Sequence, residues 1–307
     1  MMSKAMEGRR HRISVGNRRS WRQILSRLFR PHVWSAVGEG EIRDGNQARA
    51  GWTPKYLILM GICIGWSVKR QLTARFDEAR TTVCMLEPPN GPLPKSYQGF
   101  FKQLGRFDVP LVHSVMEQLR QEAPRSVQGA WFLHNWVPFA VDGSRVEAPR
   151  TAANEEYMGC AGRSGTGPQM WVTMITHLPS GLPWDWRQGP GGSSERAHLL
   201  DMLGSLPERS LIIGDAGFVS YEGMLEMEQA GQPFLIRVGG NFTLLLDGQP
   251  IPSRLERTRH GILVYLWPDR IYRKKLAPLV VRLIVLKGKG AEVYLLTNVR
   301  SSTELPK

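Results

Sequence analysis

The sequence predicts an α/β protein with a mixed sheet and flanking helices, preceded by a helical N-terminal domain and followed by a β-rich block. Three observations predict this organisation. Between residues 130 and 240, short apolar runs alternate with segments of helical periodicity, as in layered α/β folds. Residues 20–128 show helical spacing only. Beyond Gly240, strand-like runs follow one another without a helical period.

The composition is that of a globular protein with an unusual charge. Hydrophobic residues make up 42% and charged residues 22% of the 307 residues, which argues against a disordered or fibrous chain. Lys and Arg number 40 against 27 Asp and Glu, so the formal net charge is +13. Such a balance fits a polyanionic partner, because basic side chains that neutralise phosphates release condensed counterions. Charge alone is equally compatible with a basic protein that has no specific partner.

Cysteine usage and hydropathy predict a soluble protein of the cytoplasm. The three cysteines, Cys63, Cys84 and Cys160, lie far apart and form no CxxC pair, so a disulfide framework is not expected. The most apolar stretch, residues 56–68, is shorter than the roughly 20 residues of a membrane span. The basic N-terminus is not followed by the apolar segment of a signal peptide.

The N-terminal part divides into a basic arm and a helical domain. The first 30 residues carry nine Lys and Arg against the single acid Glu7, and we expect a disordered arm over residues 1–19. From Trp21, apolar residues recur at helical spacing up to Pro31. One or two buried helices are predicted over residues 54–85. After a proline-rich break, further helices are predicted over residues 97–104 and 111–121.

The central part, residues 130–240, is predicted to alternate strands and helices. A strand over residues 136–141 runs into a turn at Asp142-Gly143-Ser144, and residues 170–177 and 184–188 form a hairpin. A helix capped by Ser193 or Ser194 extends to about Gly204, and a second spans residues 220–230. Further strands are predicted at these positions: residues 211–213 and 234–238, then 242–246, 262–267, 279–286 and 293–298.

Two acids, Asp142 and Asp215, are candidate catalytic residues. Each closes an apolar strand-like run and is followed by small residues that leave its carboxylate accessible. Acids at strand ends of one sheet can converge, and carboxylates with water and phosphate oxygens are the ligands that Mg²⁺ prefers. Two such ions support in-line displacement at phosphorus. For either acid taken singly, a turn or a helix cap is an equally ordinary role.

Six motifs in order resemble the DDE transposases of bacterial insertion sequences, and most closely the insertion-sequence-four group. The resemblance covers about residues 130–300. The motifs are residues 139–145 (FAVDGSR), 149–154 (PRTAAN), 181–186 (GLPWDW), 194–196 (SER), 214–218 (GDAGF) and 234–238 (FLIRV).

The resemblance implies an RNase H-like catalytic core over residues 130–240, interrupted by a β-rich insertion over residues 241–297. Asp142 and Asp215 match the first two catalytic acids and would bind Mg²⁺ or Mn²⁺. The third acid of the group lies in a Tyr-x₂-Arg-x₃-Glu signature, which does not occur in this sequence. We therefore expect residues 298–307 to be the start of a truncated C-terminal core segment. Neither Glu292 nor Glu304 is expected to replace the third acid.

Double-stranded DNA is the expected partner, both as element ends and as target, with a homodimer assembled on it. Residues 20–128 are expected to be the DNA-binding domain. Two functions remain open: a DNA transposase acting by metal-dependent hydrolysis and strand transfer, or an inactive truncated form that binds DNA and inhibits the intact enzyme. A nuclease with an RNase H-like core is a third possibility, disfavoured by the GDAGF motif and the β block. The arginines expected at DNA phosphates are Arg145, Arg150, Arg163 and Arg237 in the core, and Arg18, Arg19 and Arg22 in or next to the arm.

Each of the core arginines has an ordinary structural alternative. Arg145, Arg150 and Arg163 could be solvated surface residues, and Arg237 could pair with an acid at the sheet edge.

Overall fold

The chain comprises two units, Met1–Ser126 and Val127–Lys307. The computed structural model describes residues 29–31, 33–35, 52–89, 93–127, 129–159, 167–239, 244–246, 249–250, 262–266, 274–287 and 292–306. The basic arm and the helix expected from Trp21 lie outside these residues. The domain boundaries given above remain predictions.

The described part of the first unit contains three long helices, α1 (Pro54–Trp66), α2 (Leu72–Leu86) and α3 (Tyr97–Ser126). Two helices over the predicted stretch 54–85 are confirmed, and Thr53 caps the first through its side-chain oxygen. The helical stretches predicted at 97–104 and 111–121 are confirmed, but they belong to one helix, because α3 continues through Pro110. Phe100 and Leu111 are both buried in one cluster. Burying such side chains contributes about 1.5–3 kcal/mol each, enough to offset the roughly 3 kcal/mol cost of an internal proline.

The second unit is built on one mixed sheet. Its first five strands are β1 (Val137–Glu147), β2 (Gln169–His177), β3 (Leu182–Pro190), β4 (Ser210–Gly214) and β5 (Phe234–Val238). Their spatial order is β3-β2-β1-β4-β5. Strands β1, β4 and β5 are parallel, whereas β2 and β3 run antiparallel to their neighbours. This arrangement is RNase H-like, and the α/β fold class predicted from the sequence is confirmed.

Three helices accompany these strands: α4 (Ala152–Met158), α5 (Glu195–Met202) and α6 (Tyr221–Gln229). Helix α5 connects β3 to β4, and α6 connects β4 to β5. The predicted cap of α5 is confirmed at Ser194, whose hydroxyl accepts a hydrogen bond from the Ala197 amide at 3.4 Å. These short connections bring the carboxyl ends of β1 and β4 to one edge of the sheet.

The turn predicted at Asp142-Gly143-Ser144 is wrong, because β1 continues through it. Asp142, Gly143 and Ser144 pair with Met174, Thr173 and Val172 of β2. The long antiparallel partner supplies backbone hydrogen bonds that outweigh the turn tendency of Asp-Gly. Asp142 therefore stands on a strand rather than in a loop.

The strands beyond Gly240 extend the same sheet. They are β6 (Leu245–Leu246), β7 (Gln249–Pro250), β8 (Ile262–Leu266), β9 (Leu279–Lys287) and β10 (Glu292–Thr297). The spatial order continues β5-β10-β9-β8-β6-β7, and β10 pairs directly with β5 in antiparallel fashion. All five fall within the block that the sequence predicts to be β-rich.

An aromatic cluster lies beneath the amino-terminal half of β1. Phe139 is fully buried, and its ring lies 5.2 Å from that of Trp184 and 5.6 Å from that of His177. Trp131 stacks on His177 at 4.6 Å. Both His177 ring nitrogens are within hydrogen-bond distance of a partner, Nδ1 with the Ser180 hydroxyl and Nε2 with the Trp131 carbonyl. This cluster fixes the strands that carry the site.

Candidate active site

Asp142 and Asp215 occupy equivalent positions on neighbouring parallel strands. Ala140 of β1 is paired with Ile213 of β4, and each acid lies two residues after its paired residue. Residues two apart in a strand point to the same side of the sheet. The two side chains therefore point to the same side of the sheet, and both residues are exposed.

Backbone amides orient one oxygen of each carboxylate. Oδ1 of Asp142 accepts a hydrogen bond from the Gly143 amide at 2.8 Å. Oδ1 of Asp215 accepts one from the Gly217 amide at 2.8 Å, which caps the 3₁₀ turn Ala216–Phe218. Among the described residues, the Oδ2 atoms form no hydrogen bond or ion pair. Each acid is thus oriented on one side and open on the other.

A third carboxylate, that of Glu195, lies near the glycines that follow Asp142 and Asp215. Glu195 is the first residue of α5 and is half-buried. A Cβ atom placed on Gly143 would lie 2.7 Å from Cδ and 2.9 Å from Oε1 of Glu195. One placed on Gly217 would lie 3.8 Å from Oε2 of the same side chain. The Glu195 carboxylate therefore occupies the space between the glycines that follow the two aspartates.

Burial and neighbouring charged side chains shift the pKa of Glu195. Burial raises the pKa of Glu195 above its ordinary value, and the negative charges of Asp215 and Asp142 raise the pKa further. Arg196 and Arg145 act in the opposite direction. Arg196 donates a hydrogen bond from Nε to the Gly217 carbonyl at 2.9 Å, which ties the start of α5 to the Asp215 turn.

The arginines expected to contact DNA have different surroundings. Arg145 is exposed on β1, with its guanidinium carbon 4.4 Å from the centre of the Trp171 ring. Arg150 forms an ion pair with Glu155 at 2.9 Å, and Arg237 is exposed on β5. The other arginines expected at DNA phosphates lie outside the described residues: Arg163, Arg18, Arg19 and Arg22.

Glu292 and Glu304 stand away from the two aspartates. The Glu292 carboxylate accepts a hydrogen bond from the Tyr294 hydroxyl at 2.7 Å on β10, which β5 separates from β4. The Glu304 carbonyl accepts a hydrogen bond from Nε1 of Trp136, just before β1 begins. Six residues of extended chain, about 20 Å, separate Trp136 from Asp142.

The donor set at this edge of the sheet fits a hard divalent cation. Its atoms are carboxylate oxygens, two of them without a partner in the described part of the chain, and such oxygens are what Mg²⁺ and Mn²⁺ bind. Across the described ranges, however, no three His, Cys, Asp or Glu side chains are already grouped closely enough to hold an ion. The carboxylates of Asp142 and Asp215 can supply two ligands.

Comparison with protein-family models finds one match over this unit. The family described as "Transposase DDE domain" matches residues 137–304, more than half of the chain and nearly all of the second unit. The match begins at β1 and includes Asp142, Glu195 and Asp215. No curated protein matches the chain. No helix in the described ranges is both long and apolar enough to span a membrane.

Proposed function

The chain belongs to the transposase DDE domain family, and we propose that it acts at insertion-sequence ends by metal-dependent phosphodiester hydrolysis and strand transfer. The observation that carries the proposal is the equivalent placement of Asp142 and Asp215, each two residues after the paired residues Ala140 and Ile213 of the neighbouring parallel strands β1 and β4. Among such transposases, the order of the six sequence motifs favours the insertion-sequence-four group.

The reaction consists of two displacements at phosphorus. In the first, a water oxygen bonds to phosphorus as the bond to the DNA 3′-oxygen breaks, leaving a 3′-hydroxyl and a 5′-phosphate. In the second, that 3′-hydroxyl attacks a target phosphodiester, so one phosphodiester forms as another breaks. Bound Mg²⁺ or Mn²⁺ supplies activation of the attacking oxygen and charge neutralisation at the leaving oxygen.

The residues of the chain hold and orient the reacting groups. Asp142 and Asp215 present Oδ2 toward the reaction centre while the Gly143 and Gly217 amides hold Oδ1. Preorganised ligands of this kind lower the barrier because they need no reorganisation during the reaction. The lack of other charged partners on the Oδ2 atoms in the described residues supports this role.

DNA phosphates are held by the basic side chains around the site. We assign phosphate contacts to Arg145, Arg150, Arg163 and Arg237 of the second unit, and separately to Arg18, Arg19 and Arg22 of the first. The planar Trp171 ring beneath Arg145 restricts the guanidinium, so less side-chain entropy is lost when a phosphate binds. The formal net charge of +13 supports a polyanionic partner, and we propose a homodimer assembled on DNA.

The proposal is tested by cleavage of DNA that carries the element ends, with Mg²⁺ or Mn²⁺ present. Asp142→Asn and Asp215→Asn should each reduce cleavage at least about 10²–10³-fold, the loss typical of removing one electrostatic stabiliser from a preorganised site. Asp201→Asn is the matched control, because Asp201 is exposed on α5 and outside the site. Cleavage that survives both substitutions would contradict the assignment.

A second function is favoured by one observation: among the described residues, no three His, Cys, Asp or Glu side chains are grouped closely enough to hold an ion. In this alternative the chain binds element ends without cleaving them and inhibits an intact enzyme by mixed assembly. Binding of end DNA with no cleavage in either metal, together with inhibition of an intact enzyme of the same element, would support it. Cleavage by the chain alone would exclude it.

A further inference from the structure

The turn that carries Asp215 is held from the neighbouring helix by Arg196. Arg196 is the second residue of α5, and its Nε donates a hydrogen bond to the Gly217 carbonyl at 2.9 Å. The Phe218 amide belongs to the same peptide group as that carbonyl and donates to the Asp215 carbonyl at 3.2 Å. The peptide group between Gly217 and Phe218 is therefore held on both of its sides.

The conformation of this turn determines where the Asp215 carboxylate points. Oδ1 of Asp215 accepts a hydrogen bond from the Gly217 amide at 2.8 Å, and the fully buried Phe218 anchors the end of the turn in the core. Gly217 lies between these two anchors, and glycine is the residue type with the freest backbone. A hydrogen bond to the Gly217 carbonyl restricts that freedom and keeps the amide directed at Oδ1.

Helix α5 is a firm support for this contact. Two residues after Arg196, Nδ1 of His198 lies 3.0 Å from the hydroxyl of Thr173, which is fully buried on β2. The helix is thus attached to β2 on one side, while Arg196 connects it to the turn after β4. A metal ligand or catalytic group is held as precisely as the groups that orient it. The placement of α5 therefore contributes to the orientation of Asp215.

Two other roles of Arg196 are compatible with its exposed position. Its charge could hold a DNA phosphate, or its contact could serve only the packing of α5. Gly217 is also exposed, so water could satisfy its carbonyl in place of Arg196. The hydrogen bond therefore selects one orientation of the turn and does not serve to avoid a buried unpaired group.

We propose that Arg196 is a positioning residue for the cleavage reaction, which orients the Asp215 carboxylate by holding the Gly217 carbonyl. This inference rests on the function proposed above. The contact is made by Nε, the nitrogen bonded to Cδ, and not by the terminal nitrogens of the guanidinium. The proposed role therefore depends on one donor at a defined distance along the side chain and not on the positive charge.

Two variants of similar length separate the hydrogen bond from the charge. Arg196→Gln places an amide nitrogen on Cδ, where Nε stands, so it keeps the donor and removes the charge. Arg196→Met is unbranched and has neither donor nor charge. Cleavage of saturating end DNA should be about 10–100-fold slower in Arg196→Met, as for other groups that orient metal ligands, and within about threefold of the wild type in Arg196→Gln. Arg300→Gln, in which an exposed arginine bonded to Glu228 loses its charge, is the control and should cleave as the wild type does.

Hydrogen exchange of the Gly217 amide in the metal-free protein reports the same geometry without cleavage. Nuclear magnetic resonance of protein labelled with ¹⁵N-glycine measures it. Loss of the hydrogen bond to Asp215 should speed exchange by about fivefold or more in Arg196→Met, whereas Arg196→Gln should remain close to the wild type. Thermal unfolding within a few degrees of the wild type shows that both variants fold.

The outcomes separate this inference from the proposed function. Slow cleavage and fast Gly217 exchange in Arg196→Met alone support the positioning role. Wild-type cleavage by Arg196→Met overturns it. Equal losses of cleavage in Arg196→Met and Arg196→Gln also overturn it: with weaker DNA binding they assign Arg196 to a phosphate, and with unchanged DNA binding to the packing of α5. If the wild type cleaves no DNA, the proposed function fails, and equal Gly217 exchange in both variants would then show that Arg196 does not hold the turn.

Discussion

Gly143→Ala is a small substitution that should move the Glu195 side chain while leaving both folding and metal binding nearly unchanged. The new methyl would lie 2.7, 2.8 and 2.9 Å from Cδ, Cγ and Oε1 of Glu195, whereas contacting carbon atoms are ordinarily about 3.5–4.0 Å apart. The carboxylate must therefore retreat by about 1 Å. Because all three contacts are with the end of one flexible side chain, the backbone of β1 need not move.

The expected effect on stability is small. Relief of the overlap costs little at a half-buried side chain, and replacing glycine within a strand removes a penalty of roughly 0.5–1 kcal/mol. The net change in the free energy of unfolding should stay within about 1 kcal/mol, or about 2–4 °C in Tm for a unit of this size. Mn²⁺ affinity should likewise stay within a few-fold of the wild type, because the Asp142 and Asp215 carboxylates that would hold the ion keep their backbone hydrogen bonds.

The assay combines thermal unfolding with Mn²⁺ titration of the wild type, Gly143→Ala and Gly204→Ala. Gly204 follows α5, has open space around its Cβ position and provides the control for adding a methyl group. A fall of more than about tenfold in the Mn²⁺ affinity of Gly143→Ala would refute the reasoning, because displacement of the Glu195 carboxylate alone would then have removed a group that the ion needs. A drop of more than about 10 °C in Tm would refute the claim that only the side chain moves.

Three further predictions concern pH, packing and DNA. Burial lowers the pKa of His177 below 6.5, so the unfolded chain binds more protons in acid. Stability from this residue is complete above about pH 6.5 and is lost as the pH falls towards the folded pKa, by at most about 1.4 kcal/mol per pH unit. Urea unfolding between pH 7.5 and 5.5 should therefore show a flatter pH dependence in His177→Gln than in His113→Gln, and equal slopes would contradict the assignment. Phe139→Ala, in the fully buried aromatic cluster, should lower the free energy of unfolding by about 3–5 kcal/mol in the same experiment, and a decrease below about 1 kcal/mol would argue against that packing. Deleting residues 1–30 should reduce the slope of log DNA affinity against log salt by about 0.9 for each DNA phosphate that the arm neutralises, and an unchanged slope would exclude the arm from DNA binding.

Much of the fold could be predicted because its elements are marked locally. Strand β4 is a short apolar run that ends at an acid, and Ser194 marks the start of α5 by its capping position. The wrong predictions fall where long-range packing outweighs local signals. Pro110 does not interrupt α3, whose apolar side chains on both sides of it are buried, and Asp-Gly does not end β1, whose pairing with β2 continues.

Part of the candidate site could be predicted because the two aspartates are also marked locally in the sequence. Asp142 and Asp215 each follow a recognisable strand, and parallel strands bring such ends together. Glu195 belongs to the SER motif, but its neighbours in the sequence indicate only the start of a helix. Its approach to Asp142, 53 residues earlier, depends on how α5 packs against the sheet. Gly143 was the available signal, because a glycine inside a strand indicates that another group comes close.

The central claim is that Asp142 and Asp215 jointly hold a divalent ion, and anomalous scattering from a crystal soaked in Mn²⁺ tests it most directly. A peak within about 2.5 Å of a carboxylate oxygen of both residues is the predicted result. The same peak should be absent from Asp142→Asn crystals soaked in the same way. A strong Mn²⁺ peak elsewhere in the chain, with no peak beside Asp142 and Asp215, would contradict this claim.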